Sequence, residues 1–166
     1  MENKHIIISM NVPTIIAEVQ SRAHLVAEQT DGKDFELVAG MQPTDDNEVY
    51  QVRRFITEAF AECVEMLYPY SKGEIEADDE VDNSLVDDET LDMMLTFPKG
   101  FSWTTVWLIK TQLHEYIVCR VLAEWLGMTF PAGMGIWHEK AAIAKTKIQT
   151  SLLSRANKVR RKLKPF

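Results

Sequence analysis

The amino-acid sequence predicts a mainly α fold: a helical bundle of about four helices, with a small β-hairpin or short strands inserted between helices 2 and 3. Apolar residues recur every three or four positions over 102–126, which is typical of a long helix. Residues 91–97 instead alternate apolar and polar side chains, as a half-buried strand does. A length of 166 residues with 46% hydrophobic content fits a single helical domain over 1–166.

The first eleven residues are predicted to form an extended N-terminal arm. Residues 5–9, HIIIS, are rich in β-branched side chains, which suit either an edge strand or an arm that adds to a neighbour's sheet, and we favour the arm. Asn11 is a candidate cap for a first helix, with Pro13 in its first turn, where a missing N–H costs nothing. This helix is expected to end near Gln29.

The second helix is predicted to begin at a capping box formed by Asp45 and Glu48. It runs to about Leu67 and is stopped by Pro69. Its apolar face consists of Val49, Val52, Phe55, Ile56, Ala59, Phe60, Cys63 and Leu67.

An acidic loop or hairpin follows at 74–92, where the chain carries ten acidic residues and no basic ones. Such a run must be largely solvated, and a repulsive solvated face explains it better than a calcium site, because it lacks the residue order of a calcium loop. The strand predicted at 91–97 closes at Pro98. Residues 81–86 are the candidate partner strand of a hairpin.

The central helix is predicted over 102–126, with Gly127 ending it in the C′ position and a loop at 128–135. Trp107 widens its apolar stripe, so we expect this helix to be covered on several sides. The last helix is predicted to begin around Trp137, which attaches it to the bundle. The apolar stripe of that helix consists of Ala141, Ala144, Ile148, Leu152, Ala156, Val159 and Leu163.

No catalytic, cofactor-binding or metal-binding constellation is predicted, so the chain is not expected to be an enzyme. His114 and Glu115 resemble the start of a zinc-protease motif, but Val118 stands where the second histidine is required. Cys63 and Cys119 lie in apolar helical contexts, where buried free thiols are expected and an interhelical disulfide is the alternative. With neither a signal peptide nor a transmembrane run recognised, we expect a soluble, intracellular chain without membrane partners.

Charge is distributed unevenly along the chain, whose formal net charge is −7. Residues 140–166 hold nine of the eighteen basic residues and no acidic ones, and they end in a basic tail at 158–166. The tail is interpreted as a docking element for an acidic groove on a neighbouring subunit, as a nucleic-acid contact, or as a solvated helix end whose cations favour the helix dipole. The predicted partner-binding residues are Arg155, Lys158, Arg160, Arg161, Lys162, Lys164 and Phe166.

Four segments in order carry a resemblance: EAFAECVE in the second helix, a strand ending LTFP, LHEYIVCRVLAEWL in the central helix, and a closing VRRKLKPF. Over roughly residues 45–166, this pattern resembles small virion proteins of phages and prophages of gut Bacteroidales, particularly head–tail connector or head-completion proteins. The resemblance implies a helical domain that assembles as a ring with portal or tail proteins, without an active site and close to DNA without binding it specifically. It also implies location in the virion, and in the host cytoplasm during assembly.

Overall fold

The structure, a computed structural model, describes residues 3–31, 40, 42–68, 70–72, 89–98 and 100–156, without the side chains of residues 30, 31 and 154–156. It contains β1 (Lys4–Asn11), α1 (Val12–Asp31), α2 (Asp46–Met66), β2 (Thr90–Phe97), α3 (Trp103–Thr129) and α4 (Pro131–Ala156). The predicted fold class is confirmed, since the chain is mainly helical and the short strand β2 lies between the second and third of these helices.

The two strands form an antiparallel sheet in which Lys4 lies opposite Phe97 and Asn11 lies opposite Thr90. The prediction that the N-terminal segment is an arm reaching a neighbour's sheet is therefore wrong for residues 4–11, which pair within their own chain. The reason is burial. Alternate side chains of both strands, Ile8 and Met10 of β1 with Leu91, Met93, Leu95 and Phe97 of β2, face the helices and are buried together.

The predicted starts of the first two helices are confirmed. The Asn11 side chain accepts a hydrogen bond from the Thr14 backbone N–H at 2.8 Å, so it satisfies one of the free donors at the start of α1. At α2, Asp45 and Glu48 form the complete capping box. α1 ends two residues later than predicted, at Asp31.

The core lies where the inner face of the sheet meets all four helices. α3 runs through its centre, and from Tyr116 to Leu126 most of its side chains are buried. α4 packs along α3 through Ala141, Ala144, Ile148 and Leu152, as its predicted stripe requires. An aromatic cluster closes one end of the core, where Phe97 stacks on Phe101 with ring centroids 4.3 Å apart and Tyr70 tilts against both.

The junction between the two long helices differs from the prediction. Gly127 does not end α3, which continues to Thr129, and the predicted loop at 128–135 is instead a single non-helical residue, Phe130, followed at once by α4. Pro131 explains this change, because its ring disfavours a helical conformation of Phe130, while its fixed φ suits the first residue of a new helix. Trp137 is buried within α4 rather than at its start.

Several predictions fall outside the described residues. These are the candidate strand 81–86, the acidic segment except for its last four residues, and the basic tail at 158–166. β2 was expected to pair with 81–86, whereas the partner that the structure describes for it is β1.

Candidate functional site

The N-terminal part of α3 exposes two large aromatic side chains. Trp103 is 68% exposed and Trp107 is 61% exposed, although both lie on the most apolar helix of the chain. They are four residues apart, so they lie on the same face of the helix. The prediction that Trp107 extends the buried stripe is therefore wrong, because the first turns of α3 are buried on one face only, through Val106 and Ile109.

A groove of about 380 Å³ separates this face of α3 from strand β1. Trp107, Lys110 and His114 form one wall, and the end of β1 with the first turn of α1 forms the other. The Lys110 ammonium lies 5.7 Å from the centre of the Trp107 ring, where a cation interacts favourably with an aromatic face. The complete lining is Ser9, Met10, Asn11, Thr14, Trp107, Lys110, Thr111 and His114.

Strand β1 presents an edge on the side away from β2. The Thr96 N–H donates to the Tyr70 carbonyl at 2.8 Å, so the backbone of Thr96 points away from β1. The Val12 N–H donates to the Glu89 carbonyl at 2.9 Å. This bond continues the β1–β2 ladder beyond Met10, so the even-numbered residues of β1 are the ones that bond to β2. Backbone groups alternate in direction along an antiparallel strand. His5, Ile7 and Ser9 therefore direct their N–H and C=O groups outward.

The outer face of the sheet carries an exposed apolar pair. Ile7 and Met94 lie directly opposite each other in the register, and they are 60% and 64% exposed. On the neighbouring position of the same face, the His5 ring lies 3.2 Å from the Thr96 hydroxyl. Exposed apolar pairs of this kind, like exposed tryptophans, are typical of protein interaction surfaces.

A network of charged side chains lies behind the groove and joins α1 to α3. His114 Nε2 lies 2.7 Å from a Glu18 carboxylate oxygen. Arg22 donates to Glu18 at 2.6 Å, and to both carboxylate oxygens of Glu115 at 2.9 and 2.7 Å. The Cys119 thiol donates to the same Glu115 at 3.3 Å. Paired and partly buried in this way, these groups hold the two helices in register.

The charge states in the network follow from these contacts. Hydrogen bonding to Arg22 lowers the pKa of Glu115 despite its partial burial. Burial acts to raise the pKa of Glu18, but its bonds with His114 and Arg22 outweigh burial and lower it. Hydrogen bonding to Glu115 raises the pKa of Arg22 further above its ordinary value. Burial raises the pKa of Cys119 to about 12, so its thiol stays protonated and is a poor nucleophile.

A second polar cluster joins α2 to α3. The Tyr116 hydroxyl donates to Glu62, and Arg120 lies 3.5 Å from the other oxygen of that carboxylate. Arg120 also pairs with Glu124, as their spacing of four residues predicts. The sequence predicts no reactive constellation among the polar residues of α3, and it does not reveal the partners that His114, Glu115 and Arg120 have on other helices.

The predicted partner-binding residues lie outside the described part of the chain, except for the backbone of Arg155 in α4. Cys63 and Cys119 are free and buried, as expected. Within the described ranges, no three histidine, cysteine or acidic side chains converge as metal ligands would. None of the helices in those ranges has the length and apolarity needed to cross a membrane. No protein-family model, curated protein or solved structure matches this chain.

Proposed function

We propose that this chain is a non-enzymatic assembly protein whose copies associate with one another and with other structural proteins. The observation that carries the proposal is the surface formed by Trp103, Trp107 and the edge of β1, hereafter the α3–β1 face. Tryptophan gives a large binding contribution when it is buried at an interface, and exposed apolar patches mark sites of protein association. Ile7 and Met94 add apolar area on the sheet.

The contacts behind the α3–β1 face support a binding role rather than catalysis. His114 lines the groove, but its Nε2 is bonded to Glu18, and the bonds of Arg22 with Glu18 and Glu115 fix this wall in place. Because this wall is already rigid, less conformational entropy is lost when a partner binds to it. The surface is therefore suited to docking a partner in a defined orientation.

The particular assembly that we propose is a phage head–tail connector or head-completion ring, located in the virion and in contact with portal or tail components. The resemblance of residues 45–166 to such proteins supports it, as does the separation of an acidic middle segment from a basic end. Opposite charges at separate places on one chain favour head-to-tail contacts between copies, the type that closes into a ring. The second docking element in this proposal is the basic tail at 158–166 together with Arg155.

Light scattering of the purified chain over a range of concentrations, alone and with portal or tail proteins, tests the proposal. We expect a mass above that of the monomer, which decreases when Trp103 and Trp107 are both replaced by alanine. A matched control replaces Ile136 and Ile143, two exposed apolar residues on α4, by alanine. A wild-type chain that stays monomeric under every condition, and binds neither partner, would contradict the proposed function.

The alternative is a nucleic-acid-binding or regulatory protein that uses the basic C-terminal helix. Its specific support is that Lys145 and Lys147 are exposed on α4, on a stretch without acidic residues. This alternative predicts that the chain shifts the electrophoretic mobility of duplex DNA. The logarithm of its affinity for DNA should fall linearly with the logarithm of the salt concentration. Removal of residues 158–166 is expected to abolish the shift, and binding that survives the truncation would exclude the tail as the contact.

A further inference from the structure

We propose that the outer edge of β1 pairs with the same edge of β1 in a second copy. The two strands run antiparallel about a two-fold axis at Ile7, and they join two sheets into one of four strands. This inference rests on the proposed function, because it specifies a two-fold contact through which copies associate, separate from the head-to-tail contacts of the proposed ring. It adds the partner element, the register and the symmetry.

Backbone hydrogen bonding is the first argument. His5, Ile7 and Ser9 direct their N–H and C=O groups away from β2, and the structure gives them no backbone partner among the described residues. Antiparallel pairing centred on Ile7 places Ile7 opposite Ile7 of the second copy, and His5 opposite Ser9. This register pairs all three outward-facing residues with one another, whereas a centre at Ile6 pairs Ser9 with residue 3, outside β1, and a centre at Ile8 pairs His5 with Asn11, where the chain turns into α1.

The sequence of β1 also lacks the features that normally protect an edge strand from association. Such strands carry proline, inward-pointing charge, a bulge or central lysines. β1 is KHIIISMN, with an uninterrupted ladder to β2 and its one lysine at the end. Three consecutive isoleucines favour extended backbone. The edge is therefore well suited to accept another strand.

Self-pairing of β1 is favoured over pairing of β1 with β2 of another copy. The opposite edge of the sheet is already in use at Thr96, whose N–H is bonded to the Tyr70 carbonyl. Charge agrees with self-pairing, because the register centred on Ile7 places Lys4 opposite Met10 and His5 opposite Ser9, so no like charges face each other. A head-to-tail series of sheets would require a second free edge.

The side chains complete a matching surface across the two-fold axis. Ile7 and Met94 are a cross-strand pair on the outer face. Bringing two copies together extends this pair into a row of four apolar side chains across the joined sheet. The groove beside Ser9 and Asn11 provides room for the opposing strand's first residues, which would run past Trp107. Pairing of β1 between two copies thus explains both the exposed apolar pair and the groove.

Proline substitution tests the edge directly. Ile7→Pro removes an outward N–H and leaves the bonds between β1 and β2 in place, because that N–H does not point to β2. The matched control is Met94→Pro, which removes an N–H pointing away from β1 on the opposite edge, at the residue directly across the sheet. We expect Ile7→Pro to raise the dissociation constant of self-association about tenfold or more, and Met94→Pro to leave it nearly unchanged. Equal effects of the two variants, at equal melting temperatures, would overturn the proposal.

Cysteine cross-linking tests the register without depending on stability. Directly opposite residues at hydrogen-bonded antiparallel positions have Cα atoms about 5.5 Å apart, within the range of a disulfide. We therefore expect Ile7→Cys alone to form a covalent dimer on mild oxidation. His5→Cys alone should not, since two copies of residue 5 would be about 14 Å apart. A mixture of His5→Cys and Ser9→Cys should form the cross-link. The native cysteines are buried, so any cross-link formed by the chain without an introduced cysteine gives the background level.

The two proposals fail in different ways. A chain that forms oligomers sensitive to Trp103 and Trp107, yet gives no cross-link at residue 7 and no response to Ile7→Pro, contradicts strand pairing and leaves the assembly function standing. A chain that stays monomeric with every partner contradicts the assembly function itself. Cross-linking of His5→Cys alone, as strongly as Ile7→Cys, would show random collision and would overturn the register.

Discussion

Arg22 of α1 donates to both carboxylate oxygens of Glu115 of α3, at 2.9 and 2.7 Å, which is the paired geometry that a guanidinium and a carboxylate prefer. The Arg22 guanidinium also lies 5.8 Å from the centre of the Trp137 ring on α4. One side chain thus connects three helices behind the α3–β1 face. We expect its contribution to depend on all of these partners together.

Replacing Arg22 by methionine is expected to destabilise the protein by about 1–3 kcal/mol, because Glu115 and Glu18 lose their charged partner while partly buried. Glu115→Gln is expected to cost less, since an amide still accepts one hydrogen bond. Urea unfolding of both single variants and the double variant gives the coupling free energy. Additive effects in this double-mutant cycle would show that the pair does not interact energetically.

The same carboxylates predict a loss of stability in acid. Their pKa values are lowered in the folded protein, so their contribution is present above the ordinary glutamate pKa of about 4.3 and is lost as pH falls below it towards the lowered folded values. The free energy of unfolding should therefore decrease between pH 5 and pH 3 less steeply in Glu115→Gln than in the wild type. Glu65→Gln, at an exposed position of α2, is the control. Identical slopes for wild type and Glu115→Gln would contradict the assignment.

Two glycines of α4 are predicted to respond oppositely to alanine. A Cβ at Gly133 would lie 2.7 Å from the Phe130 ring, so Gly133→Ala forces the ring to move and is expected to cost about 1–3 kcal/mol. A Cβ at Gly135 meets nothing within 4 Å, so Gly135→Ala is expected to stabilise the helix by about 0.5–1 kcal/mol. Thermal unfolding of the two variants decides this. A stabilising Gly133→Ala would mean that Phe130 is not fixed at the junction.

Both thiols are predicted to be unreactive while the protein is folded. Burial raises the pKa of Cys63 and of Cys119, and thiolate is the reactive form. At pH 8, a thiol reagent should label the native protein at least about a hundredfold more slowly than the urea-unfolded chain. Labelling of the variants Cys63→Ala and Cys119→Ala shows which thiol reacts at which rate. Fast labelling of either residue under native conditions would indicate local opening of α2 or α3.

The elements that the sequence predicts well are those determined by local pattern. The capping box at Asp45, the cap at Asn11 and the alternation in β2 each involve residues close together in sequence, and each was found. The end of α3 was missed because glycine is only a weak helix breaker, whereas the proline at 131 determines where the chain turns. The partner of β2 was missed because alternation identifies a strand but contains no information about the strand it joins.

The candidate site was less predictable for a related reason. Spacing places Glu18 and Arg22 on one face of α1, and His114 and Glu115 on α3, but nothing local brings those faces together. Trp107 was misplaced because an apolar residue on an apolar helix is usually buried, and whether a neighbour covers it depends on where β1 ends and α1 begins. Exposure of Trp103 and Trp107 is a property of the packed bundle.

The pairing of β1 with β2 has a consequence for synthesis of the protein. The ribosome completes β1 long before β2, and at about 5–20 residues per second the interval is on the order of several seconds. During that time, the isoleucine-rich strand has no native partner. The helices α1 and α2 are translated in the same interval and can form early, because the contacts within a helix are local. The sheet must close after both its strands have been made, so the yield of folded protein depends on how well the nascent N-terminal segment is kept from other nascent chains.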